Sequence, residues 1–133
     1  MADYVGSEDA GAVRLIKAEG GIPFVKTNNP QIVFALETVN TIYGLALNPH
    51  NLKRTCGGSS GGEGGLISSQ CSILGLGTDI GGSIRAPAAF CGIYGFRPSP
   101  GRISYDGVIV PVPDGHNPQS PIESTVGPLA RNT

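Results

Sequence analysis

The sequence predicts an α/β fold, and two patterns support this prediction. The first is a predicted helix at residues 7–19, followed at once by a short apolar stretch at 22–25 that is typical of a buried strand. The second is a region, residues 57–82, that holds ten of the chain's 21 glycines interleaved with isoleucine and leucine. Ordered proteins use glycine where the backbone needs a positive φ or a close approach, whereas flexible linkers are polar. We therefore expect helices and strands to surround a site in this region.

The first half of the chain contains one predicted helix and one predicted strand. Ser7 can cap the helix, and the glycine pair at 20–21 ends it. Residues 22–25, Ile-Pro-Phe-Val, then predict a buried strand whose proline lies near its start. Residues 31–38 fit a helix and a strand equally well. Residues 48–55 begin with Asn-Pro-His and are predicted as a loop.

The second half alternates helix and strand signals around two glycine turns. Residues 63–74 have helical length and spacing, and residues 76–80 are predicted to follow as a strand. Ser83 can then open a short helix, in which Pro87 is tolerated only in the first turns. The remaining predictions are a strand at 93–96, a long loop at 106–120 and the opening of a further helix at 127–129.

Composition excludes several classes of function. The formal net charge is −1 and only 14% of the residues are charged, which offers no basic face for nucleic acid. The longest apolar stretches, 32–36 and 42–47, fall far short of the roughly 20 residues that cross a bilayer, and the first residues lack signal-peptide features. The three cysteines (Cys56, Cys71 and Cys91) form no CxxC motif. We expect free thiols in a reducing compartment, in the cytoplasm or on the cytoplasmic face of an internal membrane.

Two of three glycine-rich templates fit this region poorly. A P-loop needs a lysine after its second glycine, and none lies between Gly57 and Arg85; the glycines from residue 75 onward are also misspaced for a dinucleotide fingerprint. Residues 57–61 match the GxSxG nucleophile elbow by letter. That motif requires an apolar strand before the serine and a later histidine, but residues 51–56 are polar and His116 is a poor candidate in a predicted loop.

The third template accounts for both glycine turns together. Residues 57–87, GGSSGGEGGLISSQCSILGLGTDIGGSIRAP, resemble the amidase signature along their whole length of 31 residues. The pattern combines two glycine-flanked serines, an acid and Ser-Ile-Arg-x-Pro at set spacings. Flanking segments of the family are similar to residues 22–28 and 127–131. The short motifs most like the fatty-acid amide hydrolase branch lie at 30–31, 62–64 and 90–92.

This resemblance implies a partial amidase-signature fold, with a mixed β-sheet core flanked by helices. Residues 1–133 would form part of one amidase domain, with both ends of that domain missing. The implied activity is hydrolysis of carboxylic amides, and the branch points to fatty-acid amides. No cofactor or metal is implied, and the expected partner is a small-molecule amide. Membrane association could come only through segments outside the chain, and homodimerisation of a full-length form stays open.

The same resemblance implies the roles of two serines. Ser83 corresponds to the nucleophile that accepts the acyl group. Ser59 corresponds to the bridging serine of a Ser-Ser-Lys triad, which follows a cis peptide and relays protons between nucleophile and lysine. A serine hydroxyl is a weak nucleophile until a base takes its proton, and a desolvated neutral lysine can be that base. The relay must also return a proton to the leaving amine.

The turn before the nucleophile has an implied role of its own. The backbone N–H groups of Ile80, Gly81, Gly82 and Ser83 would stabilise the oxyanion that forms from the substrate carbonyl. The other polar residues of the signature are interpreted as supporting groups. Ser60 is expected to position its neighbours, and the pair Asp79 and Arg85 is expected to form a hydrogen-bonded scaffold.

A base lysine is missing from the chain. Lys26 lies in a segment that the family places after its short strand, whereas the family's base lysine lies several tens of residues further upstream in a Pro-x-x-x-Lys context. Lys17 and Lys53 are interpreted as surface residues. The sequence therefore leaves three readings open: a piece of an active amidase, a truncated non-catalytic remnant that lacks the base, and an amidase subunit of the glutamine amidotransferase type.

Overall fold

A computed structural model describes residues 5–109 and 122–133 of the protein. Within these residues the chain forms three α-helices, a short 3₁₀ helix at Gln31–Val33 and seven short strands. This mixture confirms the α/β prediction. The α-helices are α1 (Gly11–Ala18), α2 (Gly61–Ser68) and α3 (Arg85–Cys91), and the strands are β1 (Val39–Asn40), β2 (Gly44–Leu45), β3 (Leu47–Asn48), β4 (Asn51–Thr55), β5 (Leu74–Asp79), β6 (Tyr94–Gly95) and β7 (Thr125–Ala130).

The strands form one three-stranded sheet and two small hairpins. In the sheet β7 lies between β5 and β6 and runs antiparallel to both, with Gly77 directly opposite Gly127. The hairpins pair β1 with β2 and β3 with β4, again antiparallel. Helices α2 and α3 pack on one another, and both contact the sheet. The two serine-bearing turns therefore stand on a shared sheet, one before each helix.

A small apolar core holds α3 against this sheet. Its buried members are Ile67, Ile84, Ala88 and Leu129, and Ile93 packs against them. Ile84, which directly follows Ser83, is fully buried. Because a well-packed core fixes its side chains to within fractions of an ångström, the position of Ile84 largely sets that of the neighbouring serine.

Glycines in the sheet make room for Ile84. A methyl group added at Gly77 would lie 3.0 Å from Ile84 Cγ1, and one at Gly95 would lie 2.9 Å from Ile84 Cγ2. One added at Gly127 would lie 3.1 Å from Ile84 Cδ1. Each strand of the sheet thus contributes one glycine to the surface beneath this side chain. Glycine normally weakens a strand, and here it allows the close approach of a helix.

Helix α2 is rich in glycine for a similar reason. A methyl group at Gly64 would lie 3.1 Å from Pro87 Cβ of α3, and one at Gly65 would lie 3.0 Å from Cys56 Sγ. A methyl group at Gly61 would overlap Thr38. Each glycine in a helix interior costs about 1 kcal/mol relative to alanine. Close packing on several sides of α2 offsets that cost, and it brings the N-terminal ends of α2 and α3 together.

Two predictions for the first part of the chain need correction. The predicted strand at 22–25 is absent, because no strand of the described residues pairs with this segment; Ile22 and Phe24 are exposed. The predicted helix at 7–19 begins only at Gly11, and Ser7 does not cap it. The Gly11 N–H donates to the carbonyl of Asp106, so a contact distant in sequence determines where the helix starts.

Two further predictions were wrong about strands. Residues 48–55, predicted as a loop, form most of the hairpin β3–β4. Residues 127–129, predicted to open a helix, lie in the middle of β7. Proline is disfavoured in a central strand because it lacks an N–H. Pro128 is accommodated since it pairs with Leu76 of β5 while its carbonyl accepts a hydrogen bond from the Phe96 N–H.

Other elements agree with the predictions, with shifted boundaries. The helix predicted at 63–74 is α2, the strand at 76–80 is β5, and the strand at 93–96 is β6. The short helix after Ser83 is α3, with Pro87 in its first turn. The ambiguous segment 31–38 contains only the 3₁₀ turn. Most of the predicted loop at 106–120 lies outside the described residues, as does His116.

None of the helices in the described part of the chain has the length and apolarity that crossing a membrane requires.

The glycine surface under Ile84 leads to a stability prediction. In Gly127→Ala the new methyl group would overlap the backbone oxygen of Phe96, which cannot rotate away. We expect a loss of about 1–3 kcal/mol in the free energy of unfolding, the usual cost of overpacking. Gly81→Ala is the matched control, because its methyl group would meet nothing within 4 Å. Denaturant unfolding measures both; equal stability of the two variants would contradict the close-approach explanation.

Candidate functional site

The structure brings the two signature turns into direct contact. The N–H of Ser60 donates to the carbonyl of Ser83 over 3.1 Å. Ser59, Ser60 and Ser83 are all buried, with Ser83 retaining 8% exposure. Because this contact joins the turn that carries Ser59 to the turn that carries Ser83, both predicted catalytic serines lie in one region of the fold.

The Ser59 turn is tightly enclosed on its outer side. Its Gly58–Ser59 peptide is cis, as the family resemblance implies. A methyl group at Gly58 would lie 2.7 Å from the Glu37 N and 2.8 Å from the Ala35 oxygen. The hydroxyl of Thr38 donates to the Ser59 carbonyl over 3.3 Å and accepts the Gly61 N–H at 3.0 Å. Sequence reasoning missed Thr38, because a lone threonine in an ambiguous segment carries no signal.

The Ser83 turn wraps around the carboxylate of Asp79, which is completely buried. One carboxylate oxygen accepts the Gly82 N–H at 2.8 Å. The other accepts the N–H groups of Ile84 at 3.1 Å and Arg85 at 3.2 Å. The Arg85 guanidinium adds Nε and Nη2 hydrogen bonds at 3.0 and 2.9 Å. Asp79 and Arg85 thus form a hydrogen-bonded scaffold within the described fold.

A second arginine, which the sequence analysis did not identify, completes this scaffold. Arg97 Nε donates to the Asp79 backbone carbonyl at 3.2 Å and lies 3.5 Å from Asp79 Oδ1. Its Nη2 donates to the Glu123 carbonyl at 2.7 Å. Arg97 follows β6 and Glu123 precedes β7, so this side chain ties the Asp79 turn to the end of β6 and the start of β7.

The hydrogen bonds keep the Asp79 carboxylate ionised. Burial by itself raises its pKa, but the donors outweigh burial, with the Arg85 side chain first and then the N–H groups of Ile84, Arg85 and Gly82. Together they lower the pKa of Asp79 from 3.8 to about 2. The same contact raises the pKa of Arg85. The turn therefore forms around a permanent ion pair at neutral pH.

One of the backbone N–H groups predicted to form the oxyanion site is already used by this scaffold. The Gly82 N–H points to Asp79 and is occupied by it. Gly82 has φ of +125°, a conformation that favours glycine. At Gly81 an added methyl group would meet nothing within 4 Å, so this side of the turn is open. A methyl group added at Gly82 would lie 3.6 Å from Leu36 Cδ2.

All three lysines of the chain are exposed. Lys17 of α1 pairs with Asp9 at 2.8 Å, and Lys26 and Lys53 are exposed.

His50 lies at the other end of α3, where its Nε2 is 3.0 Å from the Cys91 carbonyl and 2.9 Å from Ser68 Oγ. Ser68 itself donates to that carbonyl at 2.8 Å. Both side chains therefore cap the C-terminal end of α3.

An open cavity of about 380 Å³ lies between α2 and the β3–β4 hairpin, with Gly62, Leu66 and Leu47 among its lining residues. Neither Ser59 nor Ser83 lines it. In the parts of the chain that the structure describes, no cluster of three or more His, Cys, Asp or Glu side chains could hold a metal ion. The paired serine turns remain the site with recognisable chemistry.

A family model described as Amidase matches residues 1–133. The chain belongs to the amidase family. This amidase chain is 47% identical to "Fatty-acid amide hydrolase 1" of Sus scrofa over 124 residues, which is 93% of this chain and 21% of that protein. It is 46% identical to "Acetamidase" of Aspergillus oryzae over 126 residues, 95% of this chain and 22% of that protein.

A solved structure named "Fatty acid amide hydrolase" matches the fold of the amidase chain with a TM-score of 0.85 and 39% identity. The match covers 92% of this chain and 21% of that one. The amidase chain therefore spans about a fifth to a quarter of the length of these relatives. Both relatives are about equally similar in sequence, so family membership follows from the comparisons while the choice of amide does not.

The Asp79 scaffold predicts how the stability of the amidase fold depends on pH. The pKa of Asp79 is depressed in the folded state, so its contribution is fully present above pH 4 and is lost as the pH falls through 2. The difference of nearly two pKa units corresponds to about 2 kcal/mol. Unfolding free energies measured from pH 6 to pH 2 should show this loss.

Asp79→Asn should remove this pH-dependent contribution and destabilise the fold at pH 7 by about 3–5 kcal/mol, because two arginines and three N–H donors lose a buried anion. The matched control is Asp106→Asn, which removes an exposed ion pair with Arg14 and should leave the stability nearly unchanged. A stability profile of Asp79→Asn that still falls between pH 4 and pH 2 as in the wild type would contradict the assignment.

Proposed function

We propose that the protein hydrolyses carboxylic amides by forming an acyl-enzyme on Ser83, with Ser59 as proton relay. The observation that carries this proposal is the hydrogen bond from the Ser60 N–H to the Ser83 carbonyl, which joins the two serine turns of an amidase-family chain. Nucleophile and relay must lie within reach of each other for a proton to pass between them. The Ser83 hydroxyl would attack the amide carbon as Ser59 accepts its proton.

The oxyanion formed in this step needs donors that are already oriented. Gly82 cannot contribute, because Asp79 occupies its N–H. We assign the role to the N–H groups of Ile80, Gly81 and Ser83, with Gly81 on the open side of the turn. Asp79 contributes by orienting the turn through Gly82 and Ile84. Each well-aligned donor in sites of this kind is worth roughly 10²–10³ in rate.

The proton that leaves Ser83 must be passed on and then returned. An amine is expelled from the tetrahedral intermediate only when its nitrogen is protonated, so the relay acts first as base and then as acid. The final acceptor is assigned to a lysine from a part of the protein outside these 133 residues, since Lys17, Lys26 and Lys53 are exposed. Water then attacks the acyl-enzyme with the same relay in reverse.

The role of Ser83 is tested by covalent labelling of the protein as its cell produces it. A fluorophosphonate probe should label Ser83, and Ser83→Ala should abolish both labelling and amide hydrolysis, by about 10⁴-fold or more. Ser59→Ala should slow both by about 10²–10⁴-fold, the usual contribution of general acid–base catalysis. Labelling at Ser59 alone, or full activity in Ser83→Ala, would overturn the assignment. A wild-type protein that is neither labelled nor active would instead indicate a non-catalytic remnant.

We further propose that the preferred substrates are fatty-acid amides. Support comes from the likeness to fatty-acid amide hydrolase in sequence and fold. It also comes from the apolar side chain of Leu36 beside Gly82 in the oxyanion turn, with the exposed Phe34 in the same segment. An acyl chain that leaves the reacting carbonyl along this segment would bury apolar surface. Short amides such as acetamide, the alternative that the acetamidase relative suggests, would gain nothing from it.

A series of straight-chain primary amides tests this substrate class. Each methylene buried against protein contributes about 0.8 kcal/mol, so kcat/KM should rise roughly fourfold per carbon until the binding surface is filled. Leu36→Ala should flatten this rise and leave acetamide hydrolysis nearly unchanged, which makes the short substrate an internal control. A kcat/KM that is highest for acetamide, or hydrolysis of glutamine alone, would contradict the proposal.

A further inference from the structure

Thr38 is a buried polar residue that the proposed chemistry does not use. It lies just before β1 and is completely buried. Its backbone carbonyl accepts a hydrogen bond from the Ala46 N–H at 2.9 Å, which anchors it to the start of the next hairpin. Its hydroxyl points to the Ser59 turn. A buried hydroxyl is costly unless it is paired, so its partners show what it stabilises.

The hydroxyl of Thr38 brackets the turn that carries the relay serine. It donates to the carbonyl of Ser59 at 3.3 Å and accepts the N–H of Gly61 at 3.0 Å. These two groups lie on either side of Ser60, so one hydroxyl fixes both ends of the turn. A methyl group at Gly61 would overlap Thr38, which leaves the turn little freedom to shift.

The hydrogen bond between Thr38 and Gly61 replaces the N-cap hydrogen bond that α2 lacks. The first N–H groups of an α-helix lack partners within the helix, and the N-cap side chain usually pairs with one of them. Ser60 occupies the N-cap position of α2 but makes no side-chain cap hydrogen bond. Thr38 pairs with the first N–H of α2 instead. The geometry of the catalytic turn is thereby decided by a residue 21 positions before Ser59.

We propose that Thr38 is a positioning residue that holds Ser59 at the distance and angle at which it relays protons. This inference rests on the proposed role of Ser59. A displaced relay affects the two halves of the reaction differently. An ester expels an alkoxide-type leaving group that needs little help, whereas an amide requires a proton on its amine. Loss of the Thr38 hydroxyl must therefore slow amide hydrolysis more than ester hydrolysis.

The test compares three variants of the protein as its cell produces it. Thr38→Val removes the hydroxyl at constant shape and should lower the amide kcat about 10–100-fold, with KM within twofold, because small displacements of catalytic groups have effects of this size. The ester kcat should fall at most a few-fold. Thr38→Ser keeps the hydroxyl and should retain most of the amide rate. Thr125→Val is the matched control: it removes a buried hydroxyl without a partner in the described residues, and its rates should match the wild type.

Several results would overturn the role of Thr38. They are a wild-type amide kcat in Thr38→Val, equal losses in Thr38→Val and Thr38→Ser, and an unchanged ratio of amide to ester rates. If Thr38→Val does not fold, Thr38→Cys replaces it, and its weak thiol donor should give an intermediate amide-to-ester ratio. These outcomes are distinct from failure of the catalytic proposal itself, in which Ser83→Ala would leave labelling and activity intact and the inference about Thr38 would fall with it.

Discussion

The Ser83 turn depends on the buried carboxylate of Asp79. Burying a lone anion would cost several kcal/mol, so such a group persists only where donors surround it. Here the donors are the backbone of the turn itself and the side chain of Arg85, and Arg97 adds a second positive charge 3.5 Å from the carboxylate. The ion cluster therefore dictates the path of the chain from β5 into α3. It also occupies the Gly82 N–H, whereas the turn is open at Gly81, where an added methyl group would meet no other atom.

Different contacts hold the two serines in place. Ser83 is located by Ile84, which fits against a glycine in each of three strands, and by the carboxylate beneath it. Ser59 is located from outside, by Thr38 and the backbone around Glu37. The Ser60–Ser83 contact then joins the two turns. The proposed nucleophile and the proposed relay therefore rest on separate supports in the fold.

The high glycine content has a common explanation across the fold. Sheet glycines admit Ile84, and helix glycines admit Pro87, Cys56 and Thr38 at short range. The resulting helices and strands are intrinsically weak, because glycine lowers both the helix propensity and the strand propensity of a segment. Their stability must come from tertiary contacts. Many large apolar side chains, including Ile22, Phe24 and Phe34, are nevertheless exposed in the described residues. This agrees with a chain that spans only a fraction of its relatives' length.

The sequence by itself determined the α/β class, the family and the two serine turns, because the signature is a local pattern that can be recognised without knowing which distant segments meet. It also placed Asp79 beside Arg85, six residues away on the same turn. Only the tertiary structure decided the strand at Pro128, the hairpin at 48–55 and the absence of a strand at 22–25, since a strand exists only where a partner pairs with it. The same holds for Thr38 and Arg97, whose hydrogen bonds span 21 and 18 residues and depend on the folded chain to bring the partners together.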